Sequence, residues 1–172
     1  MTVGVRLLRS TRGSAAVEMA LVTPLLLIIM MGSFELGNYF MNEHRLVKAV
    51  RDGARFAGRQ AFVWYDCSAG TIPGGTVVPD TQNVVKTGLY SGGSASLANW
   101  TPTTVSVTFT CATTAGGQNM LGIYRSSAGA SVGAPIVTVS ATVLYQPVLA
   151  SFGFRGVGFN LNATQQAAVM GL

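Results

Sequence analysis

The sequence is poor in the side chains that carry most enzyme chemistry. Only 10% of its 172 residues are charged, and it holds six carboxylates, two cysteines and one histidine, His44. A Ser–His–Asp or Cys–His site would have to use His44 as its base. The sequence also has no G-x-x-x-x-G-K-[ST] phosphate-binding loop. We therefore expect no enzyme, no catalytic residue, no cofactor, no metal site and no small-molecule substrate.

The positive charge is concentrated at one end of the chain. The formal net charge is +5, and eight of the eleven Lys and Arg residues lie within residues 1–59. Residues 60–172 carry only Lys86, Arg125 and Arg155 as cations. Three cations do not neutralise the roughly six or more phosphates that a DNA-binding protein contacts. No nucleic acid partner is expected.

An apolar run follows the basic N-terminus. Residues 14–34 are 21 residues with one charge, Glu18, and as a helix they span about 31 Å, the thickness of a hydrocarbon core. The run predicts a transmembrane helix over about residues 15–41, in which Pro24 is tolerated. A cleaved secretory signal peptide fits less well, because the run is long and no A-x-A-like site follows it.

The charges flanking this helix conflict with the expected orientation. More Lys and Arg follow the apolar run than precede it, which by the positive-inside rule favours a cytoplasmic C-terminus. Long domains, however, cross membranes largely regardless of charge, and a cysteine pair fits an oxidising compartment. We expect one pass through the inner membrane, a cytoplasmic N-terminus, and residues 61–172 in the periplasm or outside the cell.

Beyond the bilayer the helix is predicted to continue to residue 60 as an amphipathic segment. Its apolar residues recur at steps of three, four or seven: Leu36, Phe40, Val47, Val50, Ala54 and Ala57. The intervening charges form either a solvated or headgroup-facing surface or a docking surface for an acidic partner helix.

Residues 61–172 predict a small β-rich domain. Alternating apolar and polar residues indicate strands over 103–111 and 136–145, and more weakly over 159–169. A short helix is expected over 80–89, with Val84, Val85 and Leu89 on one face and Gly88 at its end. The fold class is thus α+β, a long N-terminal helix followed by a small antiparallel sheet with a short helix.

Two features of the chain allow alternative interpretations. Cys67 and Cys111 permit a disulfide, or they are two unpaired small hydrophobic residues. Glu18 lies inside the apolar run, where an ionised carboxylate costs roughly 2.5–3.5 kcal/mol, so a functional role is favoured. The alternative is that Glu18 snorkels to the cytoplasmic headgroups without a partner.

Several motifs of the first 60 residues occur together. They are Arg12-Gly13-Ser14-Ala15-Ala16-Val17-Glu18, Thr23-Pro24, Phe34-Glu35-Leu36-Gly37 and Val50-Arg51-Asp52-Gly53-Ala54-Arg55-Phe56-Ala57. In this combination the N-terminal third resembles the TadE-like proteins, minor pilins (pseudopilins) of the tight-adherence, or Flp, type IVb pilus system. Met19 departs from the family pattern, in which an aromatic residue more often follows the glutamate.

The resemblance implies a pilin-like protein that acts in pilus assembly, and hence in adhesion and biofilm formation. Residues 1–13 would be a basic leader containing Arg6, Arg9 and Arg12, which a prepilin peptidase removes between Gly13 and Ser14. Other pilins and the pilus-assembly platform are the implied partners. The freed amine of Ser14 would then pair with Glu18 of the same or a neighbouring chain, which offsets the burial cost of both charges.

A second function remains open at this stage. The protein would then be an unprocessed, single-span binding module of the cell envelope, whose β-rich domain recognises a ligand. Processing after Gly13 distinguishes the two functions.

Overall fold

The computed structural model describes residues 13–68, 70, 72, 75–97, 100, 104–119, 133–152 and 158–171. It shows one long helix, one short helix and a small antiparallel sheet, which confirms the predicted α+β class. The chain forms two compact units, one of residues 1–39 and 147–155 and the other of residues 40–146 and 156–172. The long helix contributes to both units. The predicted boundaries at residues 13 and 60 remain predictions.

Helix α1 runs without interruption over Ser14–Gly58. Its apolar half, residues 14–39, is rich in Ala, Leu and Met, which are strong helix formers. Pro24 lies within this half and does not end the helix. The most apolar 18-residue window has a mean hydropathy of 2.1, and none of it is buried. A core helix of a soluble protein would bury one face, whereas this half of α1 is exposed and is long and apolar enough to cross a membrane.

The second half of α1 does bury a face. Leu46, Val50, Ala54 and Ala57 are each at most 2% exposed, at the helical spacing of three and four residues. Val50, Ala54 and Ala57 belong to the apolar face that the sequence predicted. Leu36 and Phe40 of the same face are exposed, because the packed part of the helix begins only at Leu46. Val47 is half-buried, since its neighbour Leu46 occupies the core position.

Helix α2 spans Val77–Thr87 and ends at Gly88, whose φ of 79° is left-handed and whose amide bonds to Val84 O at 2.8 Å. The predicted end at Gly88 is confirmed, and Val84 and Val85 are buried as expected. The prediction was wrong for Leu89, which is exposed, because the left-handed turn at Gly88 takes the chain out of the helical repeat. The helix also begins three residues earlier than predicted.

A close approach joins the two helices. A Cβ atom added to Gly53 of α1 would overlap the side chain of Val85 in α2, and it would lie 3.6 Å from Thr81 O. Val85 is 1% exposed and β-branched, so it has little freedom to turn away. Only glycine at position 53 therefore permits this separation of the helices.

The main sheet has the strand order β1-β4-β5, and all neighbouring strands are antiparallel. The strands are β1 Val105–Ala112, β4 Ala134–Leu144 and β5 Asn160–Ala168. In β4 every second residue is buried, as the alternation predicted: Val137, Val139, Ala141 and Val143. All three predicted strands are therefore present, although residue 103 of the first prediction lies outside the described residues.

The connection between β1 and β4 contains a small hairpin. Strands β2 Thr114–Ala115 and β3 Gln118–Asn119 pair across Gly116 and Gly117, both with positive φ. Two consecutive positive φ values are typical of the tight turns that join antiparallel strands. Residues 120–132 of this connection lie outside the described residues.

Tyr65 connects the end of α1 to the sheet. It follows a short 3₁₀ turn, Phe62–Trp64, and its hydroxyl donates a hydrogen bond to Ala57 O at 2.7 Å. Its ring meets that of Phe109 in β1 edge to face, with centroids 5.5 Å apart. The side chain is 5% exposed, and this burial raises the pKa of Tyr65 from 10.0 to about 12.

Gly53→Ala is expected to lower the free energy of unfolding by about 1–3 kcal/mol, because the added methyl overpacks the contact with Val85. This loss exceeds the ~1 kcal/mol that alanine gains over glycine in a helix. Urea denaturation of the full chain in detergent, followed by circular dichroism, measures the difference.

Gly37→Ala is the matched control, because it adds the same methyl to the same helix where no atom lies within 4 Å. Val85→Ala in the Gly53→Ala background should restore part of the loss, since the two sites are in contact. Equal stability of the Gly53→Ala and Gly37→Ala proteins would contradict the close approach.

The buried hydroxyl of Tyr65 predicts an alkaline loss of stability. Because the folded-state pKa, about 12, is above the unfolded value, the stabilisation is complete below pH 10 and is lost as pH rises toward 12. The expected loss is about 1–3 kcal/mol, at ~1.4 kcal/mol per unit of pKa shift. Urea unfolding of the native protein and of Tyr65→Phe between pH 9 and pH 12 tests it. Tyr65→Phe should lack this component, and parallel curves for both proteins would refute it.

Candidate functional site

The predicted cleavage site lies at the beginning of α1. Gly13 is exposed, no atom would contact a Cβ added to it, and the helix starts at the next residue, Ser14. The peptide bond after Gly13 therefore stands at the junction between the helix and the preceding chain. The leader arginines Arg6, Arg9 and Arg12 lie outside the described residues, so their role stays a prediction.

Glu18 lies on the exposed, apolar half of α1. It is in the second turn of the helix, and the residues that follow it, such as Met19 and Leu21, are exposed apolar side chains. A carboxylate among lipid-facing side chains is costly unless it is paired or reaches the headgroups. The structure thus places Glu18 on the exposed surface of α1, and its role stays a prediction.

The apolar half of α1 has a second carboxylate, Glu35, which receives a hydrogen bond from a distant part of the chain. The backbone amide of Leu149 donates to Glu35 Oε2 at 3.1 Å. Leu149 belongs to a short 3₁₀ helix, Val148–Phe152, in the connection between β4 and β5. The sequence alone does not reveal this bond, because nothing local links residues 114 positions apart.

Five cations follow the apolar half, and all are exposed: Arg45, Lys48, Arg51 and Arg55 on α1, and Arg59 just after its end. Arg45, Lys48 and Asp52 also line a cavity of about 290 Å³, whose other wall includes Val84, Thr87 and Gly88 of the α2 end. An anionic surface or partner is the ligand type that this part of the helix favours. Both interpretations of the basic face remain open.

His44 is exposed on α1, and within the part of the chain that the structure describes no group of three or more His, Cys, Asp or Glu side chains is placed to hold a metal ion.

Cys67 and Cys111 form a disulfide in the structure, with Cα atoms 5.7 Å apart. The bond ties the segment after the 3₁₀ turn to β1, and it closes a loop of 44 residues in sequence separation. Of the two alternatives that the sequence left open, the paired one is present. Loop closure of this size restricts the unfolded chain and so favours the folded one.

These features define a class of protein. Among the described residues, one helix is long and apolar enough to cross a membrane, and it is followed by a head, residues 61–172, that contains α2 and the sheet. Residues 13–55, about a quarter of the chain, match the family model for TadE-like protein. No curated protein and no solved structure matches the chain. The matched range starts at the predicted cleavage glycine and ends within α1, so the similarity covers this helix and not the head.

Loss of the disulfide is expected to lower the free energy of unfolding by about 2–4 kcal/mol. Cys67→Ser/Cys111→Ser and the reduced native protein should both show it in urea denaturation. A thiol reagent should detect no free thiol before reduction and two after it. The reductant should leave the double variant unchanged, and an equally stable reduced native protein would contradict a structural role for the bond.

Proposed function

We propose that this protein is a minor pilin, or pseudopilin, which acts in the assembly of a Tad/Flp type IVb pilus as a structural subunit rather than a catalyst. One observation carries the proposal. The range that matches TadE-like protein coincides with a single helix, of which one half is apolar and exposed and the other half is packed into a disulfide-bonded head. This division suits a subunit that moves from a bilayer into a bundle of helices.

The exposed half of α1 would serve two environments in turn. Before assembly it would hold the protein in the inner membrane, with the N-terminus in the cytoplasm and the head in the periplasm. In the fibre, or at its base, the same surface would pack against the helices of other pilins. A helix satisfies its own backbone hydrogen bonds, so it needs no refolding to pass from lipid to a protein bundle.

Processing would prepare the helix for this exchange. A prepilin peptidase would cleave after Gly13, where the bond is exposed just before the helix begins. Cleavage would remove Arg6, Arg9 and Arg12, lower the formal charge of the side chains from +5 to +2, and leave an amine on Ser14. That amine would pair with Glu18 of the same or a neighbouring subunit, since each charge offsets the burial cost of the other.

The alternative function is an unprocessed, membrane-anchored binding module of the envelope. The cavity beside Arg45 and Lys48 is the feature that such a module would use for an anionic ligand. In this case residues 1–13 would remain on the mature protein, and Glu18 would have no role in assembly.

N-terminal sequencing of the protein recovered from native membranes separates the two functions. Ser14 as first residue supports the pilin, whereas Met1 or Thr2 supports the anchored module. Co-expression with a prepilin peptidase should reduce the mass by roughly 1.4 kDa, at about 110 Da per residue. Gly13→Leu should abolish that shift.

The recovery of assembled pili is the second measurement. Glu18→Ala should reduce the recovery of pili, because the terminal amine then has no carboxylate to pair with, and Glu18→Asp should retain part of it. Glu43→Ala is the matched control, because it removes a carboxylate from the same helix outside the apolar half. Unchanged maturation and unchanged pili in Glu18→Ala would overturn the proposal.

A further inference from the structure

The connection between β4 and β5 returns to α1 at the level of Glu35. It begins after Leu144, and a hydrogen bond from the Tyr145 amide to Phe159 O, at 2.8 Å, closes its base. Between these points the 3₁₀ helix Val148–Phe152 places the amide of Leu149 on the Glu35 carboxylate. A segment far from α1 in sequence is therefore fixed at one height along the helix.

That height is the far boundary of the apolar span. Glu35 follows Ala15 by 20 residues, which is about 30 Å along a helix and matches the thickness of the hydrocarbon core. Tyr39 lies one turn further on, and tyrosine is enriched at membrane–water interfaces. When α1 crosses the bilayer, the segment held by Glu35 lies at the outer interface.

The segment also has the composition of an interfacial contact. No charged residue occurs from Gln146 to Phe154, and the first one that follows is Arg155. Val148 is 49% exposed, Ala150 is exposed, and Leu149 is half-buried. The segment thus shows apolar side chains at a depth where α1 itself shows apolar side chains to lipid.

The main-chain bonds of the segment fit this depth as well. Pro147 has no amide hydrogen, its carbonyl accepts the Ala150 amide at 3.3 Å, and the Leu149 amide is used by Glu35. Non-helical backbone is excluded from the hydrocarbon region unless its polar groups are satisfied within the protein, so these two internal bonds favour a position next to that region. The carboxylate of Glu35 gains a donor in the same contact, and hydrogen bonds to a charged group are the stronger ones.

From these observations we infer that Val148–Phe152 is a second membrane contact, a short apolar anchor that Glu35 holds in the outer interface of the bilayer. The inference rests on the membrane span of the proposed function. The segment contacts lipid at the boundary between the acyl chains and the headgroups, beside α1. Glu35 acts as a positioning residue, and the exposed side chain of Val148 is the part that enters the interface.

The test measures the depth of Val148 in the full chain. Val148→Cys is labelled with the fluorophore NBD while Cys67 and Cys111 remain in their disulfide. The protein is reconstituted in phosphatidylethanolamine/phosphatidylglycerol vesicles that carry nitroxide phosphatidylcholine, spin-labelled at acyl carbon 5 or 12. We expect loss of fluorescence with the shallow nitroxide, weaker loss with the deep one, and little quenching by aqueous iodide.

Two labelled controls separate this inference from the proposed function. Leu26→Cys, an exposed position within the apolar half, should be quenched by the deep nitroxide. Gln166→Cys, an exposed position of β5, should be quenched by iodide. If Leu26 is quenched in lipid and Val148 behaves like Gln166, the anchor is refuted and the span stands. If Leu26 is not quenched in lipid, the span and the anchor fail together.

Variants of Glu35 test the positioning. Glu35→Leu removes the acceptor and should move the Val148 label from the lipid quencher toward iodide, whereas Glu35→Gln keeps an acceptor oxygen and should preserve lipid quenching. Unchanged quenching in Glu35→Leu would refute the positioning role. Shielding of Val148 from both quenchers would indicate a protein surface in place of lipid, and it would overturn the inference.

Discussion

The C-terminal end of α1 is the point on which the packed head depends. A helix leaves its last carbonyls without helical partners, and an unpaired carbonyl inside a protein is costly. Here Ala57 O accepts the Tyr65 hydroxyl at 2.7 Å, and Gly58 O accepts the Met170 amide at 2.8 Å. The absence of a side chain at Gly58 also lets β5 lie close to the helix end, since a Cβ on this residue would lie 2.9 Å from Ala168 O. The last carbonyls of the helix thus bind the Tyr65 side chain near the start of the head and the Met170 main chain near its end.

The two halves of α1 have different surroundings, one exposed and one packed, and their residues differ accordingly. In the apolar half the helix supplies its own hydrogen bonds, and even the Ser33 hydroxyl donates to Ile29 O at 2.8 Å. In the packed half the buried face combines Leu46 and Val50 with small residues, among them Gly53, which lies against Val85. Glycine costs about 1 kcal/mol in a helix relative to alanine, and the burial of α2 that the close approach permits offsets this cost. The range that resembles TadE-like protein includes this glycine, so the similarity extends beyond the apolar half.

Patterns that repeat along the chain were predictable, and contacts between distant residues were not. Strand alternation identified β1, β4 and β5, because each strand buries one face against the core. The spacing of apolar residues on α1 does not show where packing begins, since Leu36 and Phe40 share the helical spacing but lie before the packed region. Neither the register of the sheet nor the bond between Glu35 and Leu149 could be predicted, because both depend on chain reversals that leave no local pattern. The cleavage site and the pairing of Glu18 follow from resemblance and charge, and the structure contributes only their position on α1.

The two carboxylates of the apolar half, Glu18 and Glu35, would both be costly to place in lipid, and the groups that offset this cost differ. They are 17 residues apart, about 26 Å along the helix, so in a bilayer they lie near opposite boundaries. Glu35 is met by an amide of its own chain, a contact that every copy of the protein can make as soon as it folds. The partner proposed for Glu18 is an amine that exists only after cleavage. Under the proposed function, processing would therefore change the electrostatics at one boundary and leave the other as it was, so that the outer end of the helix stays fixed while the inner end becomes competent to pack against other subunits.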